Sequence, residues 1–304
     1  MTSPARNRID LHCHTTRSDG LRAPRELFAD MTSWGLGLAA ITDHDTLEGY
    51  RELRDAGLGA GEGPGPRLIA AVEINSVNDG ELGRRHGLGR DGAELHILGF
   101  GVDAEDEAFE AALRQQRQAR ALRFVRIVDR LRELGRPIDE ALAMMPAGDD
   151  DALGRPRAAR AMVRAGYVTS VDEAFDAWLG HARPAYVPRA GLDAQGAIAA
   201  IRAAGGVAVL AHSPAAPDLP EMIGLLRDRG LGGLEVHYRG WPAQRVAAMA
   251  AYAEAEDLVA TGGSDYHGDL MSYAAAQATL HVPEEVGERL LAAIAAARAA
   301  RASA

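Results

Sequence analysis

Short apolar runs that end in acids or histidines recur along this chain, and they constrain its fold more than any other feature. RIDLHCH closes on His12 and His14, LAAITDHD is followed through Asp43, His44 and Asp45, and LIAAVEIN carries Glu73 near its end. VAVLAHSP carries His212, LEVHY carries Glu235 and His237, and LVATGGSDYH carries Asp265 and His267. Stretches of helical periodicity separate these runs, among them APRELFADMTSWG (closed by Gly35), TLEGYRELRDAG, DAQGAIAAIRAAG and AQRVAAMAAYAEAED. Repeated β and α units predict an α/β fold with a parallel sheet, open or closed into a barrel. The C-terminal ends of such strands are where these folds gather their chemistry.

A strand alternates its faces, so His12 and His14 point the same way and Cys13 the other. Burying several acids and imidazoles without partners is expensive. A divalent cation resolves the conflict, since carboxylates and imidazoles are its ordinary ligands. His96, in ELHILGFGV, lies near the start of its run. It joins the others only if that strand runs the opposite way or enters from the same rim. His86, His181 and His281 stand in loop or surface contexts and read as bystanders.

Composition narrows the chemistry. All 33 basic residues are arginine, which excludes Schiff-base catalysis and a P-loop lysine. Any phosphate clamp must use the planar guanidinium fork. The net charge of −10 disfavours duplex DNA as a partner. No apolar run approaches the roughly 20 residues of a membrane span, and MTSPARNR lacks an apolar leader core. With one cysteine there is no internal disulfide, so a cytoplasmic protein is expected.

Strand signals stop near residue 104. EDEAFEAALRQQRQARALRFVRIVDRLRELG is one long helical pattern, followed by shorter ones until RPAYVPR, which reads as the next strand. The expected division is a catalytic barrel over 1–103 and 190–304, with a helical insertion domain over 104–189. Residues 77–93, rich in glycine and charge, read as a long loop.

Six motifs in order, DLHCHTTRSDG, ITDHDTLEG, VEIN, HILGF, AHSP and GGSDYHG, resemble the PHP (polymerase and histidinol phosphatase) superfamily over 8–103 and 190–275. The insertion, with GRPRAARAMVRAGYVTSVDEAF, resembles that of the RNase AM and 3′,5′-nucleoside bisphosphate phosphatase branch. The resemblance implies a distorted (β/α)7 barrel with a helical insertion and three divalent metals, commonly Mn2+, with Zn2+ or Fe2+ in some members. By resemblance, His12, His14, Glu73 and Asp265 surround the first metal, and Asp19, His44 and His267 hold the second. Glu73 would bridge to a third, held by His96 and His212. The chain departs from the pattern at His212-Ser213-Pro214, where His-Pro is common, and at Arg157, where relatives have His.

Three such metals perform phosphoester hydrolysis. A hydroxide held between them is the expected nucleophile, and His237 is the candidate acid behind the ligands. Arg155, Arg157, Arg183 and Tyr186 are the candidate contacts to a second phosphate or sugar. The reaction expected is removal of the 3′-phosphate of small nucleotides such as pAp, with 5′-3′ trimming of short RNA as a further activity. A dedicated metabolite monophosphatase is the alternative enzyme, and a silent PHP interaction module the alternative of another class. Nine filled ligand positions argue against silence. Many amidohydrolases also begin with His-x-His, but those that bridge their metals with a modified lysine are excluded here.

Overall fold

The computed structural model describes residues 8–77, 95–145, 153–213, 219–268 and 270–303. Most of the 77–93 loop, and Pro214, therefore lie outside the described residues. Seven strands form one sheet: β1 (Arg8–Asp10), β2 (Leu36–Ile41), β3 (Arg67–Ser76), β4 (Leu95–Phe100), β5 (Val207–Leu210), β6 (Gly233–Tyr238) and β7 (Val259–Gly263). They lie in chain order. Hydrogen bonds from Leu11 N to Gly262 O (3.1 Å), Asp265 N to His12 O (2.8 Å) and His14 N to Tyr266 O (2.9 Å) join the two edges, so the sheet closes on itself.

The sheet is not all parallel. β4 runs antiparallel to both β3 and β5, with Ser76 opposite Leu95 and Phe100 opposite Val207. The sequence between β3 and β4, VNDGELGRRHGLGRDGA, has no helical periodicity. The reversal puts the start of β4 at the rim where the neighbouring strands end, which is the condition set for His96.

Helices α1 (Pro24–Trp34) and α2 (Glu48–Asp55) follow β1 and β2. Pro24 opens α1 with its fixed φ, and Gly35, at φ 76°, ends it in the left-handed region. After β4 come α3 (Glu107–Glu133), α4 (Asp139–Ala143), α5 (Arg155–Arg164) and α6 (Val171–Ala174), which continues into a π-helical turn over Phe175–Leu179. Then α7 (Ala194–Ala203), α8 (Leu219–Asp228) and α9 (Ala243–Ala255) alternate with β5, β6 and β7, and α10 (Tyr273–Ala278) and α11 (Glu284–Ala302) close the chain. No helix among the described residues is long and apolar enough to cross a membrane.

RPAYVPR forms no strand. Pro184 and Pro188 have no N–H to give a ladder. The segment is instead tied to α3 by side chains, with Arg130 donating to Pro184 O (3.0 Å) and Arg123 to Val187 O (2.8 Å).

Leu11, Ala71, Leu98, Phe100 and Val209 share one apolar cluster with Val286, Leu290 and Ile294 of α11. Val72, Ile74, Ile97, Leu234 and Val236 pack in another with Ile198 and Ile201 of α7 and Met222 and Leu226 of α8. Alternation thus sends neighbouring residues of one strand to different layers, and Glu73 and His96 continue the rows of Ala71 and Leu98. A separate cluster joins Phe124, Ile127 and Leu131 of α3 to Ile138, Met162 and Leu179. The first half of α3, through Phe109 and Leu113, belongs to the barrel cluster. One helix therefore spans two cores.

Candidate metal centre

All nine residues expected as ligands meet at one rim of the barrel, in three overlapping groups. In the first, His12 Nε2 lies 3.1 Å from Glu73 Oε2 and 3.3 Å from Asp265 Oδ1, and His14 Nε2 lies 3.0 Å and 3.3 Å from the same two oxygens. In the second, His267 Nε2 is 3.2 Å and His44 Nε2 3.6 Å from Asp19, with His14 Nδ1 at 3.8 Å. In the third, Glu73 Oε1 is 2.7 Å from His96 Nδ1 and 3.2 Å from His212 Nε2. The two oxygens of Glu73 thus face different groups. His14 serves two groups, one through each ring nitrogen.

Surrounding polar residues aim these side chains. Glu235 Oε1 accepts from His12 Nδ1 (2.9 Å), which leaves Nε2 directed at the cluster, and Glu235 Oε2 accepts from His212 N (2.7 Å). A carboxylate behind a ligand histidine fixes its tautomer and ring orientation. Asp43 accepts from Thr15 N (2.7 Å), Thr15 Oγ1 (2.7 Å) and Ser18 Oγ (2.8 Å), folding the loop after β1 back so that Asp19 reaches the second group. Asp10 accepts from Ser264 N (2.8 Å) and Tyr273 Oη (3.0 Å), which anchors the turn carrying Asp265. Tyr238 Oη donates to Asp265 Oδ2 at 2.8 Å. Asp45 and Asp265, beside and within the cluster, both hold positive φ, at 56° and 48°. Backbone held in that region by a non-glycine residue is often found at functional sites.

The electrostatics describe a pocket built for cations. Burial alone would raise the Glu73 carboxyl, but the imidazoles of His44, His12 and His96 outweigh it and hold the group well below its usual range. Asp265 and Asp19 are held well below theirs in the same way, against burial, chiefly by His12 and by His44 respectively. Burial disfavours a charged His14, yet Asp265 and Glu73 push it up to about 10. Burial drives His44 well down despite Asp19 and Glu73. His14 Nε2 and His44 Nδ1 are buried and make no hydrogen bond. Buried lone pairs converging on ionised carboxylates fit a divalent cation, which takes the place of protons on such ligands.

Cys13 faces away, fully buried among Leu27, Phe28 and Tyr266, and burial pushes its thiol well up. The side chain is a small core residue.

The residues expected behind or beside the ligands are arranged differently. The register of β6 against β7 shifts between Glu235 and His237, which oppose the adjacent residues Thr261 and Gly262. Such a bulge re-aims the side chains beyond it. Tyr238, rather than His237, lines the cluster, while His237 packs against Gly262 and sits in the field of His281 and Glu285. His237 is thus not among the residues that line the cavity over the cluster. A cavity of about 400 Å³ opens over His44, Glu73, His96 and His212 and is walled by Trp241 and Arg245. A neighbouring one of about 270 Å³ runs over Asp19, Asp265 and His267 and is walled by Arg160 and Arg239. Arg155, Arg157, Arg183 and Tyr186 line neither. The Arg155 guanidinium lies over the Phe175 ring, Arg183 is exposed, and Tyr186 packs on His181. Arg160 follows Arg157 by three positions on α5, one turn further along the helix. Its signal was present in the sequence as helical spacing. The bulge that brings in Tyr238 left none.

No family model matches the chain. Over 266 residues it is 32% identical to a 5′-3′ exoribonuclease of Haemophilus influenzae, covering 86% of this chain and 90% of that protein. It is 29% identical over 271 residues to a 3′,5′-nucleoside bisphosphate phosphatase of Chromobacterium violaceum, covering 85% and 87%. The solved structure of a Bifidobacterium adolescentis protein, named for metal-dependent phosphoesterase activity, superposes with a TM-score of 0.73 at 30% identity, covering 94% of this chain and 96% of that one. A closed seven-stranded barrel with acids and imidazoles gathered at one rim, and these relatives, define a metal-dependent phosphoesterase. The chain belongs to the PHP superfamily, in the RNase AM and nucleoside bisphosphate phosphatase branch. It is a hydrolase of phosphoric esters that uses a divalent metal.

Proposed function

We propose that this phosphoesterase removes the 3′-phosphate of small nucleotides such as 3′,5′-nucleoside bisphosphates, and that the same site trims short RNA from its 5′ end. The observation that carries this reading is Arg160. It makes no hydrogen bond or ion pair among the described residues, yet walls the cavity that contains Asp19, Asp265 and His267. A guanidinium with no partner among the described residues, set beside a cation site, suits a substrate with two anionic groups, one over the cluster and one on the arginine.

In this reading three Mn2+ ions would be held, by His12, His14, Glu73 and Asp265, by Asp19, His44 and His267, and by Glu73, His96 and His212. When bound, the cations supply Lewis acidity, activating water and neutralising phosphate charge. Around them the protein orients and insulates. Glu235 keeps His12 Nε2 aimed inward, and Tyr238 holds Asp265 by its hydrogen bond. Burial, with Asp265 next to it, pushes the Tyr238 phenol up, so it keeps its proton and remains a donor. Arg239, anchored on Ser264 O at 2.7 Å, adds a second positive group beside Arg160. The helices between 104 and 189 act as a substrate-capping domain, with Arg160 as its contribution to the pocket. The reaction takes place in the cytoplasm on small phosphorylated substrates.

The test is phosphate release by Mn2+-loaded protein from pAp, 3′-AMP, 5′-AMP and a sugar phosphate. A kcat/KM for pAp at least about tenfold above the monophosphates is expected, as one charge-assisted contact contributes about 1.5–3 kcal/mol. Equal or better turnover of a monophosphate would favour a dedicated metabolite phosphatase instead.

A further inference from the structure

His44 differs from His12 in how its ring is held. His12 has Glu235 behind it, whereas His44 Nδ1 is buried without a hydrogen bond, and the His44 ring meets the ligand groups themselves: Glu73 and Asp19 at 3.3 Å and 3.6 Å and the His14 ring at 4.5 Å between centroids. Its direction is therefore set by the backbone, which bridges to Glu73 and then turns sharply at Asp45. Asp45 is buried at φ 56°, a conformation that Asp tolerates better than most residues but does not favour. Asp45 N donates to Glu73 O (2.9 Å), and Asn75 N donates to Asp45 Oδ1 (3.3 Å).

The remaining acceptors of Asp45 are taken from outside the barrel. Arg120 of α3 donates to Asp45 Oδ2, and Arg117 donates to the Asp45 carbonyl oxygen at 2.8 Å. Gln116, on the same face of α3, donates to Asn75 O at 3.2 Å. The exits of β2 and β3, which bear His44 and Glu73, are thus gripped by one turn of a helix. The same helix goes on to supply Phe124, Ile127 and Leu131 to the separate core.

We propose that Arg120, assisted by Arg117, is a positioning residue: by pinning Asp45 it fixes His44 for cation binding and couples α3 to the metal centre. The inference rests on the metal assignment proposed above. It differs from a merely structural role, which would attach the helix without affecting cation affinity.

The experiment is a calorimetric Mn2+ titration of the full chain, with thermal melts of the chelated protein as the measure of folding. Arg120→Ala is expected to weaken one class of Mn2+ sites about 10- to 100-fold, the usual effect of losing a group that supports a ligand, with Arg120→Lys recovering part of the loss. Arg130→Ala loosens α3 from Pro184 and leaves Asp45 untouched, so wild-type Mn2+ affinity is expected. Should Arg120→Ala fail to fold, Asp45→Asn keeps a residue tolerant of the left-handed turn, removes the charge facing Arg120, and is expected to weaken the same class. Mn2+ affinity within twofold of wild type in a folded Arg120→Ala or Asp45→Asn protein overturns the proposal, as does an equal loss in Arg130→Ala. Wild-type protein that binds no Mn2+ overturns the metal assignment itself.

Discussion

Glu235 shows how one residue outside the ligand set controls those within it. It holds His12 Nδ1 and the backbone of His212 at once, from a fully buried position. Glu235→Ala leaves both donors without a partner, and an apparent Mn2+ affinity about 10- to 100-fold lower is expected by calorimetry. His14 sets the pH dependence. In the metal-free chain its pKa rises to about 10 against an ordinary 6.5, so its contribution to stability is complete below about 6.5 and is lost as pH rises through about 10. A cation must displace that proton, so stabilisation by metal grows over the same window. The gain in Tm on adding Mn2+ is expected to increase from pH 6.5 to pH 8.5, and a gain that is flat or falling contradicts this picture. Acids and imidazoles at strand ends marked where the cluster would lie, but the same signal covered Asp43, Asp45, Glu235 and His237, and it was the family resemblance that picked out the nine ligands. Arg160 was legible only as one turn of helical spacing from Arg157, and Tyr238 was not legible at all, since a register shift in a strand leaves no mark on a single sequence.

Strands explain both the successes and the misses. The alternation of short apolar runs and helical stretches located all seven strands, but direction and register are tertiary properties. β4 runs antiparallel to both of its neighbours, and that reversal is what delivers His96 to the cluster. RPAYVPR read as a strand from its apolar character, and its two prolines decided otherwise. The shift in β6 exchanged His237 for Tyr238. The seam between β1 and β7 offers a direct test. A Cβ on Gly263 would stand 2.3 Å from His12 Cβ and 2.5 Å from His12 N, so the close approach that closes the barrel requires glycine there. Gly263→Ala is expected to destabilise the protein by about 1–3 kcal/mol, measured by denaturant unfolding, and to weaken Mn2+ binding with it. A variant as stable as wild type would mean that the seam is looser than described.

At the scale of the whole molecule, a barrel supplies the ligands and a helical layer with its own core supplies Arg160. Charge divides in the same way: the chain carries −10 overall, yet both cavities over the cluster are walled by arginines. Arg160→Ala is expected to raise KM for pAp about tenfold or more while leaving KM for 3′-AMP within about twofold, in line with the loss of one charge-assisted contact. Equal effects on both substrates would remove Arg160 from any role in reading a second phosphate. The account as a whole depends on the cluster holding catalytic metal. The most direct measurement is the metal content of the purified chain alongside its rate of pAp hydrolysis, before chelation, after it, and after Mn2+ is restored. Activity that is lost with the metal and returns in proportion to bound Mn2+ is the expected result; undiminished hydrolysis by metal-free protein would contradict it.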